Sequence, residues 1–166
     1  MVNPNMDIQL IRIDDRLIHG QVVVGWVKAL EIQRLVVVND AIAANAMQKT
    51  LMEMAVPAGL KVSFHSVGEA VDACKPGGTG ERSLLLFSNP IDVLAFLNRG
   101  GAVTTINVGG MHFCEGKRQV SKTVCVNEAE ILAFRELKSR GIEMEIRAVP
   151  GDMREPLEKY LLEIKG

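Results

Sequence analysis

Six short apolar runs recur along the chain, and each is followed by a longer stretch whose apolar residues fall three and four apart. The runs are Ile8–Ile13, Leu35–Val38, Lys61–Phe64, Ser83–Phe87, Val103–Val108 and Met144–Val149. They are rich in β-branched residues and close to strand length. The intervening stretches, Val22–Leu30, Ala41–Ala55, Val67–Cys74, Ile91–Leu97, Glu128–Lys138 and Glu155–Ile164, carry helical spacing. Strands that alternate with helices form βαβ units. The predicted fold is therefore α/β: a single open, mostly parallel β-sheet with helices on both faces.

The punctuation agrees. Asn39-Asp40 caps a helix after the second strand, and Asn89-Pro90 opens the one after the fourth. Gly59, Gly100-Gly101 and Gly141 stand where helices should stop. Lys75–Glu81 reads as a loop too short for a domain linker. Met111–Val126 breaks the alternation and suggests a small β-hairpin turning at Glu115-Gly116. No internal repeat or low-complexity tract is visible. One domain over residues 1–166 is expected, with 1–6 as a loose N-terminus.

Composition narrows the function. At 166 residues the chain can bury a core without disulfides or metal. Aromatics are only 4%, so aliphatic residues and Met must fill that core. A net charge of -1 gives no support for general nucleic-acid binding. Three cysteines without a CxxC pair fit a reducing compartment. No apolar run approaches the roughly 18–20 residues that span a bilayer, and no signal peptide is seen. A cytoplasmic protein is expected, reaching a membrane only through partners.

The densest chemistry lies after the first strand, in Arg12-Ile13-Asp14-Asp15-Arg16-Leu17-Ile18-His19-Gly20-Gln21. In an open α/β sheet, ligands bind beyond the carboxyl ends of strands. A helix N-terminus favours anions through its free N–H groups and dipole. Arg12 and Arg16 add fixed positive charge able to grip phosphate. Gly20 leaves room beside His19, and imidazole is a competent nucleophile near neutral pH. Asp14 or Asp15 would orient the ring. These are the parts that phosphoryl transfer needs. The same residue types also make ordinary surface ion pairs of little worth. Leu17-Ile18 either pack beneath the loop or dock a partner, and packing is preferred.

Other residues offer less. Asn39 and Asp40 are candidate neighbours of His19, with helix capping the simpler role for Asp40. His65 ends a strand and suits packing. His112, Cys114 and Cys125 lack the paired spacing of a structural zinc site, so no metal is expected. Lys117, Arg118 and Lys122 make the hairpin basic. Met47, Met52 and Met54 read as core or boundary packing. No GxxxxGK[ST] or GxGxxG motif supports nucleotide binding.

The stretch RIDDRLIHGQV resembles the active-site signature of the B subunits (EIIB) of the mannose/fructose/sorbose family of the bacterial phosphoenolpyruvate-dependent sugar phosphotransferase system. VVVND at Val36–Asp40, LMEMAVPAG at Leu51–Gly59, INVGGMHF at Ile106–Phe113 and GKRQVSKTV at Gly116–Val124 extend the resemblance over essentially the whole chain. The resemblance implies that His19 takes phosphate from a phosphohistidine of an EIIA component. It would then pass it to a sugar held by membrane EIIC and EIID components, making the chain a protein-phosphohistidine–sugar phosphotransferase. It further implies that Arg12 and Arg16 bind the phosphoryl group, that Asp14 orders the loop, and that no metal or organic cofactor takes part. The sugar and any homo-oligomer stay open. So do three other functions: a regulatory phospho-acceptor on the same fold, phosphocysteine chemistry, and a phosphate-ester hydrolase.

Overall fold

Side chains alternate across a strand, so a strand buried on both faces must be apolar at consecutive positions. The strands β2 (Arg34–Val38) and β4 (Arg82–Phe87) meet that condition. Leu35, Val37, Leu84 and Leu86 join one apolar cluster, while Val36, Val38, Leu85 and Phe87 join another on the opposite face. These two strands are therefore central, and helices cover both sides of them.

The computed structural model describes residues 6–74 and 80–163. The remaining strands are β1 (Asp7–Asp14), β3 (Lys61–His65), β5 (Thr105–Gly110), β6 (Arg118–Gln119), β7 (Cys125–Val126), β8 (Glu143–Ile146) and β9 (Glu155–Pro156). The main sheet runs in the order β3-β2-β4-β1-β5-β8-β9, with every pair parallel except β8–β9. Helix α1 is π-helical over Gln21–Trp26 and α-helical over Val27–Ala29. The others are α2 (Asp40–Ala43), α3 (Ala46–Met54), α4 (Val67–Ala73), α5 (Pro90–Asn98), α6 (Glu128–Ser139) and α7 (Glu158–Glu163). The first apolar cluster takes Val22, Ile32 and Ile42 from the α1–α2 side. The larger one takes Val67, Val93, Phe96, Phe134 and Leu161 from α4 to α7.

The expected α/β architecture is the one observed. Asn39 caps α2 by accepting from the Ile42 N–H, and Asn89 caps α5 with Pro90 at its first turn. At α6, Asn127 and Glu130 close a reciprocal capping box.

Several details differ from expectation. The helix expected over 41–55 is two helices, because Asn45 accepts from the Gln48 N–H and starts a second one. The start of the last expected helix is β9, whose partner β8 gains an antiparallel neighbour. The hairpin turns at 120–124 rather than at Glu115-Gly116: β6 pairs β7, and the Val120 N–H donates to the Val124 carbonyl. Gly116 (φ +91°) makes a separate turn before it. Met6, expected to belong to a loose N-terminus, is buried against Cys74, and the rest of that expected segment lies outside the described residues. Met47 and Met54 are 75% and 78% exposed, against the expected packing role. Most of the Lys75–Glu81 loop, residues 75–79, lies outside the described residues.

Because Leu86 is fully buried in the central strand, Leu86→Ala should cost about 2–5 kcal/mol. A urea titration should show an earlier midpoint with an unchanged slope.

Candidate active site

In β1 the residues Ile11 and Ile13 face the larger apolar cluster, so Arg12 and Asp14 point to the opposite face. On β5, Asn107 sits between Ile106 and Val108 and shares that face. The strand register sets Arg12 beside Asn107, and Asn107 beside Glu145 of β8. A polar row thus crosses three parallel strands beneath α1.

Arg12 has no exposure to water. Its Nη1 donates to Asn107 Oδ1 (2.5 Å) and to the Arg147 carbonyl (3.1 Å). Its Nη2 donates to Asp14 Oδ2 (3.0 Å) and to the Ala148 carbonyl (3.0 Å). Trp26 of α1 lies against this group, with the Arg12 and Arg147 guanidinium carbons 5.4 and 4.8 Å from its ring centroid. The Trp26 Nε1–H donates to the Ala148 carbonyl (3.0 Å). Burial pushes the Arg12 guanidinium down, and Asp14 pulls it back up.

Glycine makes room for this arrangement. The β1–β5 register slips between Ile13 and Asp14, passing over Gly109. A β-carbon on Gly109 would collide with the Arg12 guanidinium. The Gly109-Gly110 pair belongs to the site, and the sequence reading missed its role. The available signal was two glycines ending a strand, which marks close approach by another group.

Asp14 is fully buried and gathers the loop. It accepts from Arg12, from the Arg16 backbone N–H (3.1 Å), from Arg16 Nε (3.3 Å) and from the His19 ring (2.8 Å). Burial alone would raise its pKa. The His19 hydrogen bond, together with the His19 and Arg12 charges and the Arg16 N–H, outweighs burial and holds the carboxyl at about 2.

The His19 contact is made by Nε2. An ionised carboxylate only accepts, so this nitrogen carries a proton, and in the neutral ring Nδ1 is the nitrogen that has the lone pair. Beside the ring, a β-carbon on Gly20 would meet nothing within 4 Å. Arg16 is 42% exposed and its Nη2 also reaches Gln21 Oε1 (3.3 Å). Asp15 turns away and accepts from the backbone N–H and Nδ1 of His112, both at 2.6 Å. Leu17 and Ile18 are buried in the cluster with Val22, as preferred. Leu17 pays for its position with φ +57°, a strained conformation for a leucine.

The expected candidates therefore separate. Asp14, Arg16, His19 and Gly20 come together. Arg12 lies behind them within the strand rather than in the loop, and its terminal donors are engaged by protein. It does not offer the phosphate grip expected of it. Asp15 orders His112, not His19. Asn39 caps α2 and donates to Ser88, while Asp40 accepts from the Val67 N–H at the start of α4. Both follow β2, which β4 separates from β1. His65 ends β3, farther still along the sheet. Among the described residues, no cluster of three or more His, Cys, Asp or Glu is able to hold a metal.

The site lies where β1 sends its chain toward β2 across one face and β5 sends its chain toward β8 across the other. Such a reversal opens a crevice at the carboxyl edge. Residues 8–165 match the family model for the sorbose subfamily IIB component of the phosphotransferase system. The chain belongs to that family. It is 40% identical over 157 residues to the fructose-specific EIIB component of Bacillus subtilis, covering 94% of this chain and 96% of the relative. It is 44% identical over 151 residues to the mannose-specific EIIAB component of Escherichia coli, covering 90% of this chain. There it spans only 47% of the longer relative. Among solved structures, the IIB domain of the sorbose permease from Klebsiella pneumoniae superimposes with a TM-score of 0.88 at 38% identity. That match covers 96% of this chain and 99% of the other. The family is the mannose/fructose/sorbose EIIB group that the first loop resembled. No helix among the described residues is long and apolar enough to cross a membrane.

Asp14→Asn should leave the buried Arg12 charge uncompensated and cost about 3–5 kcal/mol. The sign in acid follows from the depressed pKa. Asp14 contributes its stability fully above its ordinary value of 3.8 and loses it as pH falls toward about 2. Urea midpoints between about pH 2 and 6 should show that acid loss in the parent and a smaller one in Asp14→Asn.

Proposed function

We propose that the chain is a phosphoryl carrier of a sugar phosphotransferase system and that His19 Nδ1 is the atom that holds the phosphate. The observation that carries this reading is the bond from His19 Nε2 to Asp14, which leaves Nδ1 as the free nucleophilic nitrogen. The carboxylate also stabilises the positive charge that develops on the ring as Nδ1 attacks.

In the first step an N–P bond on a phosphohistidine of an EIIA component breaks while the His19 N–P bond forms. In the second, a sugar hydroxyl presented by membrane EIIC and EIID components attacks phosphorus and gives its proton to a base of those components, while the breaking N–P bond leaves its electron pair on Nδ1. Arg16 is the exposed cation beside the ring and is assigned to the phosphoryl oxygens. Space next to Gly20 admits them. Arg12 acts from behind by fixing Asp14. The resulting activity is a protein-phosphohistidine–sugar phosphotransferase, carried out in the cytoplasm with membrane contact only through partners. The names of the relatives and their shared fold support this placement, while the sugar itself is left open.

His19→Ala should accept no phosphate from a phosphorylated EIIA component. Arg16→Ala should accept it about a hundred-fold more slowly with its fold intact. Rapid-quench transfer assays with alkaline mass spectrometry measure both. A normal rate in His19→Ala would sink the proposal. Sugar phosphorylation with the membrane components present distinguishes a transporter subunit from a purely regulatory phospho-acceptor.

A further inference from the structure

Beside the loop lies an open cleft of about 450 Å³, lined by Arg16, Gln21, Gly110, His112, Lys122 and Thr123 among others. His112 is the second imidazole of this region, and the carrier chemistry above leaves it without a task. Asp15 clamps it twice, through the backbone N–H and through Nδ1. With Nδ1 bound to a carboxylate, the ring nitrogen left over is Nε2.

Gly110 lines the cleft. The point where a β-carbon on Gly110 would lie is 3.6 Å from Arg16 Nη2, from Asp14 Oδ1 and from His112 Cε1. One glycine therefore keeps open a space bordered by the exposed arginine, the carboxylate that holds His19, and the second histidine.

We infer that His112, oriented by Asp15, is a second anion-binding group of this site, opposite Arg16. It deepens the carrier reading and rests on it for the identity of the anion, a phosphoryl group. Protonated, His112 presents an Nε2–H donor and a positive charge to phosphoryl oxygens. Neutral, with its proton kept on Nδ1 by Asp15, it presents a lone pair that repels them. The cleft thus has two permanent cations, Arg16 and Lys122, and one imidazole whose charge depends on pH.

The charged groups facing His112 come from three places. Asp14 ends β1, and Asp15 and Arg16 belong to the loop that follows it. Lys122 belongs to the hairpin turn and lines the same cleft. Lys117 and Arg118, nearer the start of the hairpin, are paired with Glu130 and Glu128 of α6. Asp14 is shared by Arg12, Arg16 and His19, and Asp15 is committed to His112, while Arg16, His112 and Lys122 line the cleft itself.

The test uses sulfate, which keeps its two charges across the relevant range and needs no protein donor. Binding is followed by backbone amide shifts at about pH 5.5 and about pH 8.5. The intact chain should bind sulfate about ten-fold more weakly at the higher pH. His112→Gln should bind weakly at both, and His112→Arg tightly at both. Asp15→Asn, which frees the ring, should lose most of the difference. If His112→Gln keeps the full pH effect, the titrating group is His19 and the inference is overturned. It is overturned equally if the intact chain binds sulfate alike at both values. Phosphate transfer to His19 is measured separately. A chain that shows the His112-dependent effect but accepts no phosphate would retain the anion site and lose the carrier assignment.

Discussion

A guanidinium shut away from water requires a carboxylate at contact distance, and the upper edge of this sheet is organised by that need. Arg12 is fully buried, and Asp14, two residues on along the same strand face, neutralises it. Carbonyls of 147 and 148, the Asn107 amide and the Trp26 ring complete the enclosure. A buried ion pair of this kind adds little net stability over apolar packing, but losing one member is costly. What it supplies is position. Asp14 is fixed from below by Arg12, so the oxygens it turns upward hold His19 and the Arg16 main chain in set places. The charge pair belongs to the strand, and the chemistry belongs to the loop that grows from it.

The sheet topology supplies the other half of that positioning. β1 lies between β4 and β5, and the loops leaving β1 and β5 depart toward opposite faces. The Asp15–His112 contact spans this divergence and ties the two loops together. Met111 anchors the hairpin in turn, through the Thr123 carbonyl and the Cys125 N–H. Three segments distant in sequence therefore meet beside one histidine.

Much of this was legible in the residues. Alternation of strand-length and helix-length patterns was enough for the parallel sheet, because consecutive apolar residues in β2 and β4 have no other use. The loop from Asp14 to Gln21 stood out through its density of charge. Arg12 was expected to grip phosphate as a fixed cation. The period-two pattern Ile11-Arg12-Ile13-Asp14 already placed it inside the strand. Asn107, flanked by Ile106 and Val108, carried the same signal. The break at Asn45 and the strand at Glu155–Pro156 were not readable from spacing. The first rests on one capping side chain, and the second on an edge that β8 offers only after the sheet is built. The Asp15–His112 pair joins positions 97 residues apart, which no local pattern encodes.

Trp26 is the sole tryptophan of the chain. It lies against the two guanidinium groups of Arg12 and Arg147, with its indole N–H on the Ala148 carbonyl. Indole emission responds to nearby charge, and of the two cations beside this ring Arg12 pairs with Asp14 while Arg147 pairs with Glu145. The protein thus carries a single intrinsic fluorophore packed against the ion pair beneath the His19 loop, readable without any label.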